Sequence, residues 1–275
     1  MLGALIIVFR EVVEAGLVVG IVLAATRGIE GRGWWVSLGV VSGVLGASVV
    51  AAFAGAISDA FAGSGQELLN AGVLLVAVVS LTWHNVWMAE HGRELVAELR
   101  QVGSDVIAGV KPLTALAVVV FVAVMREGSE IVLFLYGIVV AGTSMMSLLT
   151  GGLLGLLGGA AMTGLSYFGL IAIPTRYIFQ VTSVLLALLA AGMAAQAIHF
   201  LHAAGVVTAF QTRLWDTSWL LSDQSIAGRM LHVLVGYTAK PTGLQLLVYL
   251  VTLAAIALLM RFARSTREPR PARSP

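Results

Sequence analysis

Cysteine is missing from the 275-residue chain. Disulfides, thiolate metal sites and cysteine nucleophiles are therefore excluded. Charge is scarce too: Asp, Glu, Lys and Arg make up 11% of the residues, against about a quarter in a soluble domain. Familiar enzyme signatures are also missing. There is no E-x-x-H pair of a di-iron bundle, no H-E-x-x-H of a zinc protease, no G-x-S-x-G elbow and no glycine loop ending in Lys-Ser/Thr. An enzyme is not expected, and no permanently bound cofactor is implied. What fills the chain is apolar: 59% of residues are hydrophobic and the mean hydropathy is +0.97. The apolar residues form long runs with short polar breaks, which fits membrane helices. A membrane barrel would instead alternate over segments of roughly ten residues.

A helix crosses a bilayer with about 20 apolar residues. Seven runs reach that length, at about 2–25, 34–57, 67–90, 113–141, 145–171, 179–203 and 241–262. The expected fold is an all-α integral membrane protein with seven transmembrane helices. No basic residue precedes the first run and charges interrupt it, so it reads as a retained span, not a signal peptide. Trp34 and Trp35 open the second run as interfacial anchors. Leu95, Val96, Leu99, Val102 and Val106 recur at helical spacing, which predicts a short interfacial helix in the polar linker 91–112. The fifth run is crowded with Gly151, Gly152, Gly155, Gly158, Gly159 and Gly164, as a close packing face would be. Residues 204–240 are the longest stretch expected outside the membrane, with Asp216 and Asp223 as helix caps.

Basic residues orient the chain. With seven spans, eleven of the 16 fall on one side: Arg27, Arg32, Arg93, Arg100, Lys111, Arg176 and the five arginines from Arg261 onward. Arg213, Arg229 and Lys240 fall on the other, and Arg10 and Arg126 lie within spans. The N-terminus is expected outside and the C-terminus in the cytoplasm, in a cytoplasmic or inner membrane. The net charge of +2 is thus a topology signal; nothing supports a nucleic-acid partner, and the partner the chain needs is the lipid bilayer.

Two stretches resist this apolar pattern. Arg10-Glu11-Val12-Val13-Glu14 and Arg126-Glu127-Gly128-Ser129-Glu130 both read R-E-x-x-E, in the middle of the first and fourth runs. Each such charge costs roughly 2.5–3.5 kcal/mol at a span centre on insertion scales. Both motifs open a block of three spans. Because three is odd, the second block enters the membrane in the opposite sense. Residues 1–90 and 113–203 are therefore expected to form a 3+3 inverted repeat, followed by the segment 204–240, one added helix at 241–263 and a cytoplasmic tail at 264–275. Positions i and i+3 share a helix face, so Glu11 points with Glu14 and Glu127 with Glu130. Four carboxylates and two guanidiniums leave a formal charge of −2, which a bound cation would offset. Oxygen ligands suit hard cations such as ferric iron, magnesium, calcium or manganese. The bland alternative is a pair of Arg–Glu clamps between helices in a structural or sensory protein.

The chain resembles the high-affinity, oxidase-dependent iron permeases, fungal and bacterial EfeU-type. Their signature is R-E-G-L-E in the first and fourth of seven spans. Further matches are Glu67-Leu68-Leu69, Leu81-Thr82-Trp83 with Trp87-Met88, His202-Ala203-Ala204-Gly205, and Gly236-Tyr237 followed by Pro241. The resemblance implies iron as the transported ion, with Glu11, Glu14, Glu127 and Glu130 as its ligands and Arg10 and Arg126 in support. It also implies an outside protein that oxidises or delivers iron, for which 204–240 is the docking candidate. The chain departs from the pattern at Asn70, where relatives often carry an acid, at His84 for Met, and at Ala203 for Glu. An imidazole near the path favours borderline ions such as ferrous iron or zinc.

Four further residues are candidates for the ion's path. Glu67 stands at the outer mouth of the third span, as an outer ligand or a plain interfacial charge. His84 lies toward its inner end, beside Trp83 and Trp87, as a belt residue or an exit ligand. His199 and His202 lie near the outer end of the sixth span. The sequence therefore predicts an importer of Fe3+ or Fe2+, with another cation such as lead or manganese as the alternative.

Overall fold

The computed structural model describes residues 1–60, 65–169, 175–223 and 225–265. Among them are eight helices: α1 Leu2–Ala25, α2 Arg32–Ala60, α3 Gln66–Ile107, α4 Thr114–Val140, α5 Met145–Tyr167, α6 Thr175–Ala203, α7 Ile226–Val235 and α8 Gly243–Ser265. Five are long and apolar enough to cross a membrane, through Arg32–Ala56, Gln66–Met88, Met145–Tyr167, Gln180–Ala203 and Gly243–Ala263. α1 and α4 match them in length, at 24 and 27 residues, but carry the R-E-x-x-E charges near their middles. Pro174 and residues 266–275 of the expected tail lie outside the described residues.

Two expectations change. Residues 91–107 do not form a separate helix; they extend α3 to 42 residues. No proline interrupts this stretch before Pro112, and its apolar stripe finds partners within the protein. Leu99 and Val106 are buried in a cluster with Val18 and Val22 of α1 and Val36 of α2. The segment 204–240 contains one helix among its described residues, α7. Ser225 caps it by accepting from the Gly228 N–H at 2.9 Å, and Gly236 ends it with φ of 68°. Asp216 and Asp223 cap no helix. Asp216 accepts from the Ser218 N–H at 2.9 Å and pairs with Lys240 at 3.0 Å, while Asp223 accepts from the Ala239 N–H at 2.9 Å. All three contacts tie the segment together or to the chain just before α8.

Packing crosses between the two halves of the chain. α2 lies along α4, α5 along α1, and α3 along α6. Small residues make the first two approaches possible. A Cβ at Gly155 of α5 would stand 2.6 Å from the Leu5 carbonyl of α1, and one at Gly39 of α2 would stand 2.6 Å from the Ala117 carbonyl of α4. Two apolar cores result. One gathers Ile7 of α1, Leu74, Ala77 and Leu81 of α3, Phe134 and Ile138 of α4, and side chains of α6 and α8. The other gathers Val18 and Val22 of α1, Leu99 and Val106 of α3, and Leu116 and Val120 of α4. α1 and α3 run from the first core to the second, and α4 runs the opposite way. Residues 10–14, 84 and 126–130 therefore fall between the cores.

Candidate metal centre

The layer between the cores is charged and largely buried. Arg10, Glu11, Glu14, His84 and Glu127 are all buried, Glu11 completely. Helical spacing explains the local arrangement. Arg10 and Glu14 are one turn apart on α1, and Nε of Arg10 lies 2.8 Å from Glu14 Oε1. Arg126 and Glu130 repeat this on α4, where Nε donates to Oε1 at 3.2 Å. Both arginines thus pair along their own helix, so neither pair is a clamp between helices.

His84 makes the connection between helices. Its Nε2 is 3.2 Å from Glu14 Oε2, and its Nδ1 is 2.5 Å from Glu130 Oε2. One imidazole from α3 therefore stands between a carboxylate of α1 and a carboxylate of α4. His84 is 1% exposed, which overturns the belt position. Trp83, the preceding residue, faces outward at 70% exposure. Single ligand atoms from Glu11, His84, Glu127 and Glu130 all lie within 4.8 Å of one another. Glu14 is not one of these four; it is held by Arg10 and His84. Both carboxylate oxygens of Glu11, and Oε2 of Glu127, lack a hydrogen-bond partner although buried.

The remaining expected residues stand apart from this cluster. Glu67 is exposed in the first turn of α3. His199 is exposed near the end of α6, and His202 is half-buried with an unpartnered Nε2. Two residues were missed by sequence reasoning. Trp87 lies under the Arg126 guanidinium, 4.5 Å from ring centroid to Cζ, and stacks on His91 at 5.2 Å. Its position one turn after Trp83 hid this, since both read as belt aromatics. Asn85 is buried with neither amide atom hydrogen-bonded. A polar residue next to His84 in an otherwise apolar run was its only signal.

The Iron permease FTR1 family matches residues 1–265. The chain belongs to this family. It is 32% identical over 266 residues to "Ferrous iron permease EfeU" of Shigella sonnei (strain Ss046) and to its namesake of Escherichia coli O157:H7, covering 95% of each chain. It is 31% identical over 267 residues to "Ferrous iron permease EfeU" of Yersinia pestis, covering 95% of this chain and 94% of that one. No solved structure matches. This member of the iron permease family is accordingly a multi-pass membrane protein of a transporter family. Its buried acidic layer is the chemically distinctive part of an otherwise apolar body.

Proposed function

We propose that this iron permease family member imports an iron ion across a cytoplasmic membrane, through the layer formed by the two R-E-x-x-E motifs. One observation carries the reading: Glu11 is fully buried with neither carboxylate oxygen hydrogen-bonded and only long ion-pair contacts to Arg10 at 3.7 Å and His84 at 3.9 Å, within reach of Glu127 and Glu130 from the other motif. Burying charge without partners is expensive, so an intramembrane cluster of this kind is normally balanced by what it binds. The relatives' printed name, ferrous iron permease, supports iron as the cargo.

The architecture proposed with it has seven spans, α1–α6 and α8, with α1–α3 and α4–α6 as inverted repeats. The exchanged packing of α2 on α4 and α5 on α1 supports this, as does the opposite course of α1 and α4 between the cores. The position of the charged layer between the two cores would correspond to the midplane site of such folds. The two cores would close the layer on either side and open in turn as the repeats rock. We place the N-terminus outside and the C-terminus in the cytoplasm, from the distribution of basic residues. The segment 204–240 would then face outward. Phe210, Trp219 and Leu220 expose most of their surface there, which suits docking of an iron-oxidising or iron-delivering protein.

The test is iron uptake into proteoliposomes by wild type, Glu11→Gln and Glu127→Gln, with each variant checked by size exclusion. Uptake is expected to vanish in folded variants. Undiminished uptake by both would sink the proposal.

A further inference from the structure

The four atoms that converge in the charged layer are not four carboxylates. The fourth is a nitrogen of His84, and Glu14 stands behind it. Two ligands held about 2.1 Å from one ion lie at most about 4.2 Å apart. Separations within 4.8 Å close to that value by small side-chain movements. Metal-ligating histidines commonly give their other ring N–H to a carboxylate, which fixes the ring and its tautomer. Glu14 fits that role: its Oε2 is 3.2 Å from His84 Nε2, and its Oε1 is anchored by Arg10 at 2.8 Å. Nδ1 is then the nitrogen turned toward Glu130, while Glu11 Oε2 lies 3.9 Å from Nε2.

We propose that His84 is a ligand of the transported ion, completing a mixed nitrogen and oxygen set with Glu11, Glu127 and Glu130, and that the site therefore takes a borderline divalent cation. The inference rests on the transport-site reading above and names its substrate class. Two independent arguments lead to it. Imidazole suits iron, zinc, nickel and copper, whereas all-oxygen sets suit magnesium, calcium and manganese. Charge gives the second. Four ionised glutamates and two arginines sum to −2, and His84 as a ligand is neutral. A divalent ion brings the six motif charges to zero, whereas a trivalent ion leaves an excess of +1 among them. Glu14 acts through His84 as a positioning residue.

The experiment uses the full chain in lipid nanodiscs. Zn²⁺ and Mn²⁺ binding is measured for wild type, His84→Leu and Glu127→Gln. Electron spin-echo spectra are recorded for wild type loaded with Mn²⁺. The expected results are a directly bound nitrogen in the wild-type spectrum and loss of binding in Glu127→Gln. In His84→Leu the preference for Zn²⁺ over Mn²⁺ should fall by about tenfold or more. An unchanged preference in His84→Leu, with binding still lost in Glu127→Gln, overturns the imidazole ligand and leaves the transport site standing. Binding that survives in Glu127→Gln overturns both. If His84→Leu does not fold, the wild-type spectrum decides: bound Mn²⁺ without a nitrogen ligand refutes the proposal.

Discussion

At the scale of single residues, the two arginines look equivalent in the motif but sit in different surroundings. The Arg10 side chain is 2% exposed and that of Arg126 is 37% exposed, over Trp87. Removing one partner of a buried ion pair leaves an uncompensated charge, which costs about 3–5 kcal/mol. Arg10→Met should therefore destabilise the fold by about that amount, because Glu14 is left with His84 alone. Arg126→Met should cost clearly less, since that side chain is far less buried. Unfolding of the detergent-solubilised variants with increasing SDS reads the difference; equal losses would show that burial does not separate the two arginines. Asn85 poses a related question. Its unpartnered amide is the kind of group that costs about 1–3 kcal/mol when buried.

At the scale of elements, the glycines of α2 and α5 set how closely helices approach. Gly155 and Gly159 of α5 lie against the backbone of α1 around Leu5, Phe9 and Val12. This contact flanks the α1 motif, which begins at Arg10. Gly155→Leu should push α5 from α1 and destabilise by about 1–3 kcal/mol, as overpacking does. It should also weaken metal binding, although residue 155 touches no motif side chain. Gly164, with open space around its Cβ position, is the control: Gly164→Ala should leave both stability and binding nearly unchanged. The long α3 is a second lesson at this scale. Its polar half reads as an interfacial helix because spans are counted by apolar length. Its stripe instead packs on α1, where Gly103 meets Ala25.

At the scale of the whole molecule, the segment before α8 is tied down by polar contacts. The Ser218 hydroxyl and backbone N–H, then Lys240, hold the Asp216 carboxyl down to about 2. A carboxylate with a lowered value contributes its tie fully above its ordinary range, near about 4. That tie is lost as pH falls through about 2. Protease cleavage of 204–225 in nanodisc-embedded protein should stay constant from neutral pH down to that range. Asp216→Asn should raise cleavage already at neutral pH. Equal cleavage of wild type and variant at neutral pH would show that Asp216 does not hold the segment.

Much of this protein is decided locally and is therefore legible in the chain. Apolar length makes the membrane helices, because backbone groups in lipid must bond within their own segment. The duplicated R-E-x-x-E placed charge in two long apolar helices, and helical spacing alone paired Arg10 with Glu14 and Arg126 with Glu130. Tertiary structure decided the rest. Whether His84 faced lipid, water or carboxylates depended on how α3 is rotated between α1 and α4, and one turn of helix separates outward Trp83 from Trp87 beneath Arg126. The departure of Glu14 from the converging set has the same origin. Its spacing matches that of Glu11, but an imidazole from 70 residues away stands in front of it. Sequence spacing orders groups along one helix; only packing between helices chooses which of them meet.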